Sequence, residues 1–134
     1  MLKAELWYVP LTKPTSTYSS PLFYILYMKK ITIGINGFGR IGRTLCRLAE
    51  KHPFISIGAI NDLADAKTLS HLLKYDSIHG PFDADISHTD NELVLNGHKI
   101  TVLNQNHPKD IDWKSHKVDI VVEATGKFKK SEDL

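Results

Sequence analysis

The chain has 134 residues, 42% of them hydrophobic and 24% charged, with a formal charge of +2. That is enough for one ordinary domain and too little for the two-domain build most dehydrogenases need. The near-neutral balance gives no pull toward nucleic acid or an anionic membrane, and no run approaches the roughly 20 apolar residues that span a bilayer.

Residues 1–27 differ in composition from the rest, holding six of the twelve aromatic residues and three of the six prolines. "PLFYILY" is only seven residues long and no small-residue cleavage pattern follows it, which argues against a signal or transit peptide. The stretch reads as an unstructured leader, translated upstream of a natural start at Met28. From Lys30 the run "ITIGI" has the length and β-branched content of a buried parallel strand, and it stops at Asn36-Gly37. Ile41, Leu45, Leu48 and Ala49 then recur at helical spacing, and the helix has to end before Pro53. "FISIGAI", Phe54 to Ile60, is a second buried strand and closes a βαβ unit.

Asp65 is placed to cap a second helix with Ala66, Leu69, Leu72 and Leu73 on one face, fading at Tyr75-Asp76. "ELVLNGHKITVL" changes the period to two around Asn96-Gly97, the pair best suited to a type I′ turn, and predicts an antiparallel hairpin. "VDIVVEAT" supplies another buried strand, Val118 to Ala124, followed by the turn "TGKF" and the start of a third helix near Leu134. With helices on both faces of the sheet required and only two complete, that last strand is expected to be poorly covered and to favour self-association.

Gly37, Gly39 and Gly42 form GxGxxG between the first strand and the first helix, and Asp62 ends the next strand, 20 residues past Gly42. In that context Gly37 permits a tight turn, Gly39 lets the backbone approach a pyrophosphate, and Gly42 lets the helix pack on the strand. The helix N-terminus offers N–H groups and partial positive charge to the anion, with Arg40 placed to add to it. The alternative is a strand-turn-helix whose glycines serve packing only. An Asp62 carboxylate can accept both adenosine ribose hydroxyls and would repel a 2′-phosphate by about 4 kcal/mol at about 4 Å and a dielectric near 20, before screening. NAD is therefore expected over NADP; the other reading of Asp62 is a cap of the turn "NDLADA". The fold class is α/β and Rossmann-type, a mostly parallel sheet with an inserted antiparallel hairpin, forming an incomplete NAD-binding domain over residues 28–134.

"INGFGRIGR", "AINDLAD", "HLLKYDSIHG" and "VVEATGKF" together resemble the N-terminal half of phosphorylating glyceraldehyde-3-phosphate dehydrogenase, in that family's order, from about Met28 to Leu134. Erythrose-4-phosphate dehydrogenase shares much of this half. The resemblance implies a homotetramer, Arg40 and Ile41 at the pyrophosphate, Asp62 at the ribose, and Thr125 and Gly126 lining the cofactor cleft. By residue chemistry alone, Thr125 and Gly126 read equally well as a strand-end turn. It further implies that the nucleophilic cysteine, the histidine base and the phosphate-binding residues lie beyond Leu134, so that this chain contributes the cofactor only. A non-catalytic nucleotide-binding module and the remnant of a broken gene are the rival readings. Where the family often carries an arginine near the adenine, this chain has Asn106.

Cys46 is the single cysteine, so no internal disulfide can form and a reducing compartment such as the cytoplasm is the default. It falls on the first helix with Arg43 and Arg47 nearby, but no local histidine is placed as a base, and it reads as a packed thiol. The seven histidines form no ligand pair of metal-site spacing.

Overall fold

The computed structural model describes residues 29–77 and 80–128; the leader and the expected third helix lie outside the described residues. In chain order come β1 (Ile31–Asn36), α1 (Arg40–Glu50), β2 (Ile55–Asn61), α2 (Ala66–Lys74), a short arm of β3 (Tyr75–Asp76) and β4 (Gly80–Pro81), then β5 (Ile86–His88), β6 (Glu92–Leu95), β7 (His98–Leu103), a 3-10 turn over Pro108–Asp110, and β8 (Ile120–Glu123). Six strands make one sheet in the order β5-β6-β7-β2-β1-β8. β7, β2, β1 and β8 run parallel, whereas β5, β6 and β7 form an antiparallel meander. The chain leaves β1 toward β2 and β7, then returns to the other side of β1 for β8. That reversal puts a topological switch point between β1 and β8.

Alternation puts Ile33 and Ile35 of β1 on one face, and the extra residue Gly58 in β2 lets Ile57 and Ile60 join them in one core with Cys46 and Ala49 of α1, Leu69 and Leu73 of α2, and Leu93, Leu95 and Ile100 of the hairpin. On the opposite face a Cβ added to Gly34 would stand 2.6 Å from the Trp113 ring, and one added to Gly58 would stand 3.1 Å from the His116 carbonyl oxygen. The segment after the 3-10 turn therefore lies directly on the strands. The register between β1 and β2 slips at Ile33/Gly34, leaving Gly58 without a partner in β1.

The helix stripes agree with the expected ones at Ala49 of α1 and at Ala66, Leu69 and Leu73 of α2, which are buried, and differ elsewhere. Ile41 and Leu48 are 57% and 62% exposed and Leu72 is exposed, while Gly42, Cys46, Arg47 and Ala49 are buried in α1. Small residues in the seam let α1 approach the sheet closely. Arg47 can join them because its Nη2 donates to the carbonyls of Leu73 (2.7 Å) and Gly80 (3.0 Å) and its guanidinium lies 4.8 Å from the Phe82 ring centre. The local signals hold. Asp65 accepts the Thr68 N–H at 2.8 Å as the α2 cap, and Asn96 (φ 48°) and Gly97 (φ 80°) form the turn between β6 and β7. β8 is shorter than the apolar run that encodes it, and among its residues Val121 is exposed while Ile120 and Val122 are half-buried. No helix among the described residues is long and apolar enough to cross a membrane.

Asp119 ties the edge strand to its neighbour, accepting the Thr32 N–H at 2.9 Å and the Lys29 ammonium at 3.1 Å. The Thr32 bond, with help from Lys29, holds its carboxyl below the ordinary carboxylate range. A carboxyl depressed by folding adds stability above its unfolded pKa and loses it as pH falls through the folded value. Asp119→Ala should therefore cost about 1 kcal/mol at neutral pH. In urea unfolding series, the gap between parent and variant should close as the solution is made strongly acidic; a gap that stays constant with pH would rule out the ionised carboxylate as its source.

Candidate functional site

Beyond the carboxyl ends of β1, β2 and β8 lies an open cleft of about 290 Å³, walled by Gly37 and Gly39, by Asp62 and Leu63, and by Thr125 and Lys127. Its floor is a row of polar residues that the strand register sets side by side: Glu123 opposite Asn36, and Asn36 opposite Asn61. Asn36 and Asn61 are 3% and 5% exposed, so their amides need protein partners. The Gln105 N–H donates to Asn61 Oδ1 (2.8 Å), which orients the amide so that Asn61 Nδ2 faces both the Gln105 carbonyl (3.0 Å) and Asn36 Oδ1 (2.8 Å). Asn36 Nδ2 is thereby left to donate to Glu123 Oε2 at 2.6 Å. The other Glu123 oxygen accepts the Thr125 N–H and the Thr125 hydroxyl. Since that hydroxyl gives its one proton to Glu123 and one lone pair to the Lys127 N–H at 3.1 Å, it can meet a ligand only as an acceptor.

Three glycines of the turn have three different surroundings. Gly37 has φ +94°, and a Cβ there would lie 2.7 Å from the Thr125 nitrogen, so the β1 and β8 ends approach only because no side chain intervenes. A Cβ on Gly42 would overlap the Gly37 carbonyl oxygen, packing the first turn of α1 under the loop. A Cβ on Gly39 would meet nothing within 4 Å. Its missing side chain keeps the cleft open where α1 begins, and Gly39 supplies no side-chain cap to that helix end. Arg40 and Ile41 form the exposed start of α1 beside the cleft wall, and Gly126 (φ +70°) follows Thr125.

Asp62 caps its own turn, as the turn reading expects, and also anchors the neighbouring loop. Oδ1 accepts the Ala64 N–H at 3.0 Å, capping the turn, and Oδ2 accepts the Phe38 N–H at 2.8 Å, joining the turn after β2 to the glycine turn after β1. Each oxygen keeps a further acceptor position for hydroxyl donors in the cleft. Asn104 fixes the same turn from outside through the carbonyls of Asp62 (3.0 Å) and Leu63 (2.8 Å). The donor set, the open space above Gly39 and an uncapped helix start together fit a ligand with an anionic centre and flanking hydroxyls, which describes a dinucleotide.

Asn36, Asn61, Gln105 and Glu123 are site residues the pattern reading passed over. A signal was present: both buried strands end in Ile-Asn, "GIN" and "AIN", and the third ends in an acid. Cys46 is elsewhere. It is fully buried in the core, and burial, with Glu50 adding to it and Arg47 opposing, pushes its thiol pKa up to about 12. Such a thiol is packing material and not a nucleophile.

Comparison with known proteins agrees with this geometry. Residues 31–131 match the family described as glyceraldehyde 3-phosphate dehydrogenase, NAD binding domain. The chain is 54% identical over 103 residues to the glyceraldehyde-3-phosphate dehydrogenase of Geobacillus stearothermophilus, covering 77% of this chain and 31% of that protein. It is 50% identical over 101 residues to glyceraldehyde-3-phosphate dehydrogenase 1 of Bacillus cereus, covering 75% and 30%. The Salmonella typhimurium enzyme of the same name is 50% identical over 98 residues, covering 73% and 30%. The chain thus spans just under a third of the length of these curated relatives.

The glycine surroundings separate folding from ligand space. Gly37→Ala should lose about 2 kcal/mol or more in urea unfolding, from left-handed strain and the overlap with Thr125. Gly39→Ala, at φ −77° with open space around it, should stay within about 1 kcal/mol of the parent. Equal losses at the two positions would contradict the close approach of β1 and β8.

Proposed function

The chain belongs to the glyceraldehyde-3-phosphate dehydrogenase family through that family's NAD-binding domain, and on that premise we propose that the cleft beyond β1, β2 and β8 is where it holds the dinucleotide. NAD is the cofactor of this domain. In our reading the first turn of α1, with Gly39, Arg40 and Ile41, takes the pyrophosphate. Gly37 and Gly42 shape the turn that presents it. Asp62 accepts the adenosine ribose hydroxyls, and Thr125 and Gly126 line the cleft beside the β1 end. Thr125 serves there as an acceptor because Glu123 and Lys127 use its other hydrogen-bonding capacity. The observation that carries the reading is the open space above Gly39 set between the Asp62 carboxylate and an uncapped helix start.

Bound NAD supplies a hydride acceptor. This chain's residues bind and orient it, and the whole enzyme's work is then the phosphorylating oxidation of glyceraldehyde-3-phosphate in glycolysis, carried out as a cytoplasmic homotetramer. For that larger role the support is the resemblance to the relatives and the match of residues 31–131. The packed state of Cys46 supports assigning the nucleophile elsewhere.

Calorimetric titration tests the assignment. The protein should bind NAD at least tenfold more tightly than NADP, about 1.4 kcal/mol. Asp62→Ala should narrow that ratio by removing the charge that repels the 2′-phosphate, and should also weaken NAD itself, since ribose acceptor and Phe38 anchor go together. Gly39→Val should weaken both nucleotides while leaving the fold intact. Equal affinities for NAD and NADP in the parent would refute the role of Asp62.

A further inference from the structure

The glycine turn is gripped at a single residue from two directions. The Phe38 N–H donates to Asp62, the Phe38 ring is 1% exposed in the core, and the Phe38 carbonyl accepts from Arg43 Nη1 at 3.0 Å. Arg43 reaches back from the first turn of α1 over the loop that precedes it. Its Nε pairs with Asp76 Oδ2 of β3 at 3.2 Å, and both side chains are largely buried, at 15% and 5% exposure. A pair so placed is more than a surface ion pair, because both charged groups are held largely out of water.

The Phe38 carbonyl and the Gly39 N–H belong to one peptide plane and, in a trans peptide, point in opposite directions. Holding the carbonyl from behind therefore fixes the direction of the Gly39 N–H. Among the described residues no group accepts from that N–H, and Gly39 lines the cleft. A cation bonded to the carbonyl also polarises the peptide and makes its N–H a stronger donor. Building on the NAD-binding reading above, we propose that Arg43, locked by Asp76, is a positioning residue that aims and polarises the Gly39 N–H toward the nucleotide's pyrophosphate without touching the nucleotide. The short β3–β4 arm is then part of the cofactor site's support, since Asp76 is its contribution to the lock.

The test compares NAD with adenosine, which has the ribose and base but no phosphate. In Arg43→Met, NAD should bind roughly tenfold more weakly than in the parent, about 1.4 kcal/mol, while adenosine stays within twofold. Asp76→Asn should fall between, and Arg43→Lys, which keeps the charge but loses the fork, should recover part of the loss. Folded variants that bind NAD within twofold of the parent, or that lose adenosine and NAD equally, overturn the proposal. Should Arg43→Met not fold, nitrogen-15 spectra of the parent decide: the Gly39 amide and Arg43 Nε signals should move on adding NAD and stay put with adenosine, with Arg47 Nε as the control. Silence of both signals while NAD binds overturns the proposal alone; a parent that binds no NAD overturns the cofactor reading and this inference with it.

Discussion

Four parallel strands end their ladders along one edge of the sheet, and the polar groups at that edge must be satisfied without filling the space beyond it. A parallel sheet covered on its faces offers no water to do this, and each stranded donor or acceptor would cost about 1–3 kcal/mol. The solution is lateral: Glu123, Asn36, Asn61 and the Gln105 backbone bond to one another across β8, β1 and β2, in register. Everything above depends on it. Because the row satisfies itself from within, the turns that follow the strands are free to bend away, and the cleft exists because nothing needs to cross it.

The turns beyond that row are locked to each other and, through Thr125, to Glu123 of the row. Gly37 brings the β1 end against Thr125, and Asp62 holds the Phe38 N–H from the β2 side. A β1 turn anchored from both flanking strands has little freedom left, and its geometry is fixed before any ligand arrives. Preorganisation of this kind spares a ligand the cost of ordering the loop.

Much of this architecture was legible as pattern. Buried strands announce themselves as β-branched runs, Asn96-Gly97 has one economical use, and an aspartate ahead of an apolar stripe caps it. What the pattern obscured was which side of α1 faces inward. Ile41 and Leu48 look like core positions, but a helix lying close to the sheet fills its seam with Gly42, Cys46 and Ala49, and buries Arg47 because carbonyls of Leu73 and Gly80 wait for its guanidinium. Periodicity scores an arginine as outward-facing, and only tertiary partners reverse that. The polar row escaped for the same reason: an asparagine at a strand's end looks like the beginning of a turn until its cross-strand neighbours are known.

Asp62 serves two backbone anchors at once. One oxygen caps its own turn, the other holds the neighbouring loop, and both retain acceptor capacity toward the cleft. Under the proposed NAD-binding role of Asp62, cofactor preference and loop shape are coupled at this position. Any substitution that removes the negative charge to admit a 2′-phosphate also weakens the bond that keeps Phe38 in place. A neutral amide could retain the Phe38 bond through its carbonyl oxygen, but its nitrogen cannot accept from Ala64, so one of the two anchors has to fail. A change of nucleotide preference by this route therefore requires a second alteration that re-anchors the turn, and the carbonyl already held by Arg43 is the point in the loop where such an anchor exists.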